Sequence, residues 1–238
     1  MRHKFNLDDQ ALDGYSVLVY GINASGKTHL LGDFLRTEQE TGPVRFINVA
    51  GEDGSLTIKG MGLGEVAETI EGIDDIMGAI KEYKDLKLQA CAIDSLGPLS
   101  SWLRVKLFGS NRMPGNPDEW TKLHLAMYNL IMELKACAKY IMCASIADRS
   151  GDQVTEKSYV TPDLPGRQAR ISAGWFDFVG YLEAIPLANK VKRTFNMVPN
   201  ATFTVRQRLP RQVSSVIELP QGPGGWSTIK AAIEGGWK

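Results

Sequence analysis

Gly21-Ile22-Asn23-Ala24-Ser25-Gly26-Lys27-Thr28 has the form G-x-x-x-x-G-K-T. Before it, Tyr15-Ser16-Val17-Leu18-Val19-Tyr20 is an apolar run ending on glycine, which predicts a buried strand. After it, Leu30, Leu31, Phe34 and Leu35 recur at helical spacing. Strand, glycine loop and helix thus follow in the order that a phosphate-binding loop needs and a bare glycine turn does not.

The residue types suit that chemistry. Gly21 and Gly26 let the backbone curl without a Cβ clash, so that successive N–H groups through Asn23, Ala24 and Ser25 point at one phosphate. The start of the following helix adds partial positive charge. Lys27 is placed to reach the β- and γ-phosphates, and the Thr28 hydroxyl to bind Mg²⁺. The motif therefore predicts a nucleoside triphosphate ligand. It does not choose the base, and no guanine-selective N-K-x-D stretch occurs.

At 238 residues the chain can bury a substantial core as one domain. Its 43% hydrophobic and 23% charged residues are those of a soluble globular protein. No apolar run approaches the roughly 20 residues that span a bilayer, and the first residues lack the apolar stretch of a secretory signal. Cys91, Cys137 and Cys143 lie in apolar segments without metal-ligand spacing, which predicts buried free thiols in a reducing, cytoplasmic compartment. Net charge is zero, yet residues 184–217 carry Lys190, Lys192, Arg193, Arg206, Arg208 and Arg211 with no acid. Such a block is either a polyanion-binding surface or a solvated hairpin.

Strands alternate with helices along the chain. Val44 to Val49 predicts a second strand, followed by a turn holding Glu52 and Asp53, and the glycines at 60, 62 and 64 predict loop. Ile73, Ile76, Met77 and Ile80 predict an amphipathic helix, and Leu88 to Ile93 a third strand with Asp94 at its carboxyl end. Beside a phosphate loop, an Asp in that place orders Mg²⁺. Leu99 to Leu107 reads as a short helix. Asn116-Pro117-Asp118-Glu119 opens a longer one, with an Asn cap, Pro at the first position and Glu at the third. Tyr140 to Ala144 is a fourth strand ending at Ser145, and residues 148–170 read as a long polar loop. Residues 193–197 and 201–206 read as a β-hairpin around Val198-Pro199-Asn200, and a short helix around Ile229 to Ile233 closes the chain. The order implies an α/β fold with a mostly parallel sheet covered on both faces.

The loop after the first strand, the acids after the second and Ile93-Asp94-Ser95 after the third together resemble the RecA-like P-loop ATPase core. Val160-Thr161-Pro162-Asp163-Leu164-Pro165-Gly166, then Phe176-Asp177 and Arg206-Gln207-Arg208, resemble a narrower group: the short phage-encoded RecA-like ATPases, some of which are single-strand annealing proteins or minimal recombinases. The resemblance implies an N-terminal arm over 1–14, an ATPase core over 15–220 and a tail with a short helix over 221–238. It implies ATP and Mg²⁺ as cofactors, and a homo-oligomeric ring or filament with ATP at subunit interfaces.

It also implies roles. Glu52 would activate the attacking water, with Asp53 as the alternative. Ser145 would sense the γ-phosphate where recombinases often carry Gln. Arg206 and Arg208 resemble the element by which one subunit reaches its neighbour's ATP, although alternating arginines also suit a solvated strand face. Residues 148–170 fall where RecA-like proteins carry DNA-binding loops, and Phe5 would dock on a neighbour or cap the core. The leading expectation is an ATPase acting on single-stranded DNA in phage recombination or annealing, in the host cytoplasm. A nucleotide-dependent assembly or switch ATPase acting on protein partners is the alternative. A small-molecule kinase ranks below both, for want of an arginine-rich lid.

Overall fold

The computed structural model describes residues 14–51, 54–152 and 157–237. Glu52, Asp53 and Phe5 lie outside them. Strand β1 (Tyr15–Gly21) leads through the glycine loop to α1 (Lys27–Gln39), then β2 (Val44–Val49), α2 (Gly54–Gly60), β3 (Ala67–Ile70), α3 (Ile73–Leu86) and β4 (Leu88–Asp94). Helices α4 (Leu96–Phe108) and α5 (Pro117–Lys135) follow, then β5 (Ala138–Asp152), β6 (Lys157–Pro162), the single turn α6 (Gln168–Ile171), β7 (Phe178–Leu187) and β8 (Lys190–Asn196). The short strands β9 (Arg206–Gln207) and β10 (Ile217–Leu219) precede α7 (Gly225–Trp237).

The strands form one sheet in the order β10-β8-β7-β1-β5-β4-β2-β3, with β6 paired to β5 and β9 to β7. From β7 to β3 every neighbour is parallel, and β8 and β10 extend the far side antiparallel. Parallel strands need a crossover between them, and α1, α3, α4 and α5, which the apolar periodicities predict, run in such crossovers.

Alternation along each strand builds two cores. Leu18, Tyr20, Ile47, Ile93 and Cys143 face one side, where α3, α4 and α5 lay down Ile76, Ile80, Leu99, Leu123 and Met127. Val17, Val19, Phe46, Ala92 and Met142 face the other, against Leu31, Phe34 and Leu35 of α1 and Trp226 and Ile229 of α7. With both faces covered, the central strands β1, β2 and β4 are mostly apolar, which is why they read as continuous hydrophobic runs. Each of these large side chains contributes about 1.5–3 kcal/mol through burial. All three cysteines are buried free thiols. Asn116 caps α5 as its sequence predicts, accepting from the Glu119 N–H at 3.0 Å.

Three stretches depart from the sequence reading. The glycine-rich region after β2 holds α2 and the edge strand β3. The polar segment expected as a long loop is largely a hairpin: β5 runs on past the sheet to Asp152, and β6 returns antiparallel from Lys157. The C-terminal hairpin is present one strand pair earlier than residues 193–206 suggest. It joins β7 to β8, pairing Leu187 with Lys190 and Tyr181 with Asn196. Residues 197–205 do not pair back on β8, whose other edge is taken by β10.

Candidate nucleotide site

The glycine loop sits where β1 ends between β5 and β7, at the carboxyl edge of the sheet. Ala24 has φ 62° and Gly26 φ 100°, so the loop needs a residue free of Cβ strain at Gly26. Gly26 occupies the cap position of α1 without any side-chain capping bond. A glycine there brings no side chain to cap the helix, the setting in which a helix start can hold an anion. Lys27 Nζ donates to the carbonyls of Gly21 and Ile22 at 3.0 and 2.9 Å, which lays its side chain across the loop.

Strand β4 delivers Asp94 to the same place. The Thr28 hydroxyl donates to Asp94 Oδ2 at 2.7 Å, and Asp94 is 4% exposed. A cavity of about 220 Å³ gathers Asn23, Ala24, Lys27, Thr28 and Asp94, with Gly54, Thr57, Ser95 and Ile146 on its other walls. The structure thus brings together five of the residues expected to hold phosphate and metal. A hydroxyl and a carboxylate oxygen, hard donors and few, suit Mg²⁺, which takes its remaining ligands from phosphate and water.

Other expected residues fall elsewhere. Ser145 pairs with Tyr20 in register, fully buried, and its hydroxyl donates to the Ile146 carbonyl at 3.2 Å. Ile146, not Ser145, lines the phosphate cavity. Arg206 Nη1 donates to the Ala173 carbonyl at 3.1 Å, and Arg208 pairs with Asp177 Oδ1 at 3.1 Å. Asp177 in turn accepts from Ser16 near the start of β1, five residues before Gly21. At about 3.3 Å per strand residue, Arg208 is roughly 15–20 Å from its own loop.

Two residues the sequence reading passed over join the site. Arg193 of β8 reaches the loop from outside: its Nε donates to the Ser25 carbonyl at 3.3 Å, and its side chain packs over Gly26. Nothing local announces this, because β8 meets β1 only through β7. Asn48, 3% exposed, lies in register with Asp94 at the end of β2. A polar residue inside Phe46-Ile47-Asn48-Val49 was a visible signal, the same one that marks Asp94. On the other side of Gly26 a cavity of about 390 Å³ opens between α1 and the segment after β10, lined by His29, Asp33, Arg36 and Arg193 among others.

A glycine loop between a parallel strand and a helix, with Lys27 opening the helix and Thr28 bonded to a strand-end Asp94, defines a P-loop nucleoside triphosphatase. Residues 13–209 match the AAA domain family AAA_24, and the chain belongs to it. Among solved structures, a KaiC-like protein from the hyperthermophilic archaeon Pyrococcus horikoshii OT3 superposes with a TM-score of 0.54. The superposition covers 90% of this chain and 88% of that one at 14% identity, so the fold is what they share. No curated protein matches the sequence. The chain is a P-loop ATPase with a RecA-like core. No helix among the described residues is long and apolar enough to cross a membrane.

Proposed function

We propose that the protein is a Mg²⁺-dependent ATPase that engages single-stranded DNA through the β5–β6 hairpin, in recombination or annealing. The observation that carries this reading is the course of β5. The strand passes the phosphate cavity at Ile146 and continues into its antiparallel pairing with β6. Beside the returning strand, the Arg170 guanidinium lies 5.5 Å over the Tyr159 ring, next to a cavity of about 350 Å³ between them and residues 201–204. Arg149 and Arg167 are exposed nearby in sequence. Aromatic and arginine surfaces of this kind stack bases and meet phosphates.

At the other end, ATP would lie with its triphosphate in the loop and its nucleoside in the 390 Å³ cavity beyond Gly26. Thr28 and Asp94 would hold Mg²⁺, which supplies charge neutralisation across the phosphates. Lys27 is within reach to leave the loop carbonyls for phosphate oxygens. Glu52 or Asp53 remains the expected base. Arg206 and Arg208, far from their own loop, would serve only a neighbouring subunit's site, as a ring or filament allows.

The test compares ATP hydrolysis with and without single-stranded DNA at about 50 and about 200 mM salt. DNA is expected to stimulate hydrolysis at low salt, and the stimulation to fade at high salt. Lys27→Ala is expected to lower kcat at least ~100-fold without lowering thermal stability. Hydrolysis indifferent to DNA at both salts would remove DNA from the reading. One observation favours a second reading, an assembly or switch ATPase working on protein partners. The cations of 184–217 do not form one surface: Lys192 pairs with Glu218 at 2.8 Å, Arg193 turns to the loop and Arg208 to Asp177.

A further inference from the structure

Asn48 stands between two neighbours on the sheet, in register with Thr69 of β3 on one side and Asp94 of β4 on the other. Its Nδ2 donates to Thr69 Oγ1 at 3.4 Å, which turns Oδ1 the opposite way. That oxygen is buried and has no hydrogen-bond partner among the described residues. An unmet buried acceptor is destabilising, and this one stands beside Asp94, where a donor arriving with a ligand can meet it.

Gly54 shows where that donor would sit. A Cβ on Gly54 would come 2.8 Å from Asp94 Oδ2, 3.3 Å from Asn48 Oδ1 and 3.3 Å from Thr28 Cγ2. The carboxylate and the carboxamide oxygen therefore border one point, with the Thr28 methyl on its third side, and the missing side chain keeps it open. Asp94 and Thr28 are already the expected cation ligands. Asn48 adds an oxygen acceptor without adding charge, which suits a bound water and does not repel a phosphate.

We propose that Asn48 is a positioning residue for the divalent cation that accompanies the nucleotide, its Oδ1 accepting a hydrogen bond from a water in the cation's shell. The inference rests on the Mg²⁺-dependent reading above. Such a contact fixes the orientation of the cation's shell relative to Asp94, and losing one typically weakens metal affinity ~10–100-fold.

Mn²⁺ serves as the probe. Free Mn²⁺ is followed by electron paramagnetic resonance as it is titrated into the full chain with saturating ADP, a measurement independent of hydrolysis. Asn48→Leu keeps the volume and removes the acceptor, and is expected to weaken Mn²⁺ binding ~10–100-fold. The ligand-free variant is expected to unfold at or above the wild-type temperature, because an apolar isostere replaces an unmet buried oxygen. Asn48→Asp keeps the acceptor and is expected to bind Mn²⁺ within a few-fold of wild type or more tightly.

Wild-type affinity in Asn48→Leu would overturn the inference while leaving the nucleotide site standing. Failure of the wild-type protein itself to bind Mn²⁺ with ADP would instead sink the Mg²⁺-dependent reading, and this inference with it.

Discussion

Helix α1 takes polar groups into buried surroundings at both ends, and the ends differ in how those groups are met. Toward its C-terminus, Glu38 accepts from the Trp226 indole at 2.8 Å, Lys230 at 2.7 Å and Gln89 at 3.2 Å. Asp33 accepts from the backbone N–H groups of Gly224 and Trp226, so it serves as a distant cap for α7. At the N-terminal end, Ser25 Oγ and Asn48 Oδ1 are buried without hydrogen-bond partners among the described residues, and the Thr28 hydroxyl donates to Asp94. Carboxylates whose oxygens are all used hold the fold. Among the described residues four buried polar atoms lack a partner: Ser25 Oγ and Asn48 Oδ1 stand beside the phosphate loop and Asp94, while Tyr15 Oη and His124 Nε2 lie elsewhere.

Glu38 anchors the fully bonded end of α1. Glu38→Ala strands the Trp226 N–H and the Lys230 ammonium, and is expected to lower unfolding free energy by about 3 kcal/mol in urea titrations. The hydrolysis rate per folded molecule should stay within about twofold, because the cavity at the other end of α1 is untouched. A loss under about 1 kcal/mol would show that satisfied bonds at this seam do little.

Asp177 gives an intermediate effect that pH reveals. Burial pushes its carboxyl upward, but the hydrogen bonds from Ser16 and the charge of Lys135 outweigh it and hold the group below the usual carboxylate range. A depressed group gives its full stabilisation above the unfolded value near ~4 and loses it as pH falls through the folded value. Wild-type stability is therefore expected to drop more steeply than that of Asp177→Asn between about pH 5 and about pH 3. Parallel slopes in urea unfolding would mean that Asp177 is not coupled to the fold in this way.

The smallest effect belongs to the exposed cap of α5. Asn116→Ala removes one bond to the Glu119 N–H, with a loss of about 1 kcal/mol expected in the same titration and no change in hydrolysis.

Signals carried by adjacent residues were legible in the sequence. The strand–loop–helix of residues 15–39, the strand ends at Val49 and Asp94 and the Asn116 cap depend on local periodicity and local chemistry. The edge strand β3 was hidden because Ala67-Glu68-Thr69-Ile70 covers one face only and follows a run of glycines. The β5–β6 hairpin was hidden because its outer half lies beyond the sheet, where no core demands alternation. Arg193 was illegible for a different reason: two strand pairings separate it from the loop it touches. Asn48 was in view, but its meaning depends on Asp94 and Gly54 standing beside it, which only the sheet register supplies.

The seam between α1 and α7 also sets an order of events during synthesis. Asp33 and Trp226 are separated by 193 residues, and Glu38 and Lys230 by 192. At about 5–20 residues per second, α1 leaves the ribosome on the order of 10–40 s before the partners of its buried acids do. During that interval the helix that follows the phosphate loop carries two carboxylates on a face meant for burial, and desolvating them unpaired is strongly unfavourable. The sheet can assemble around β1 in that time, but the nucleotide-binding helix settles only once the segment from Gly224 onward arrives to meet it.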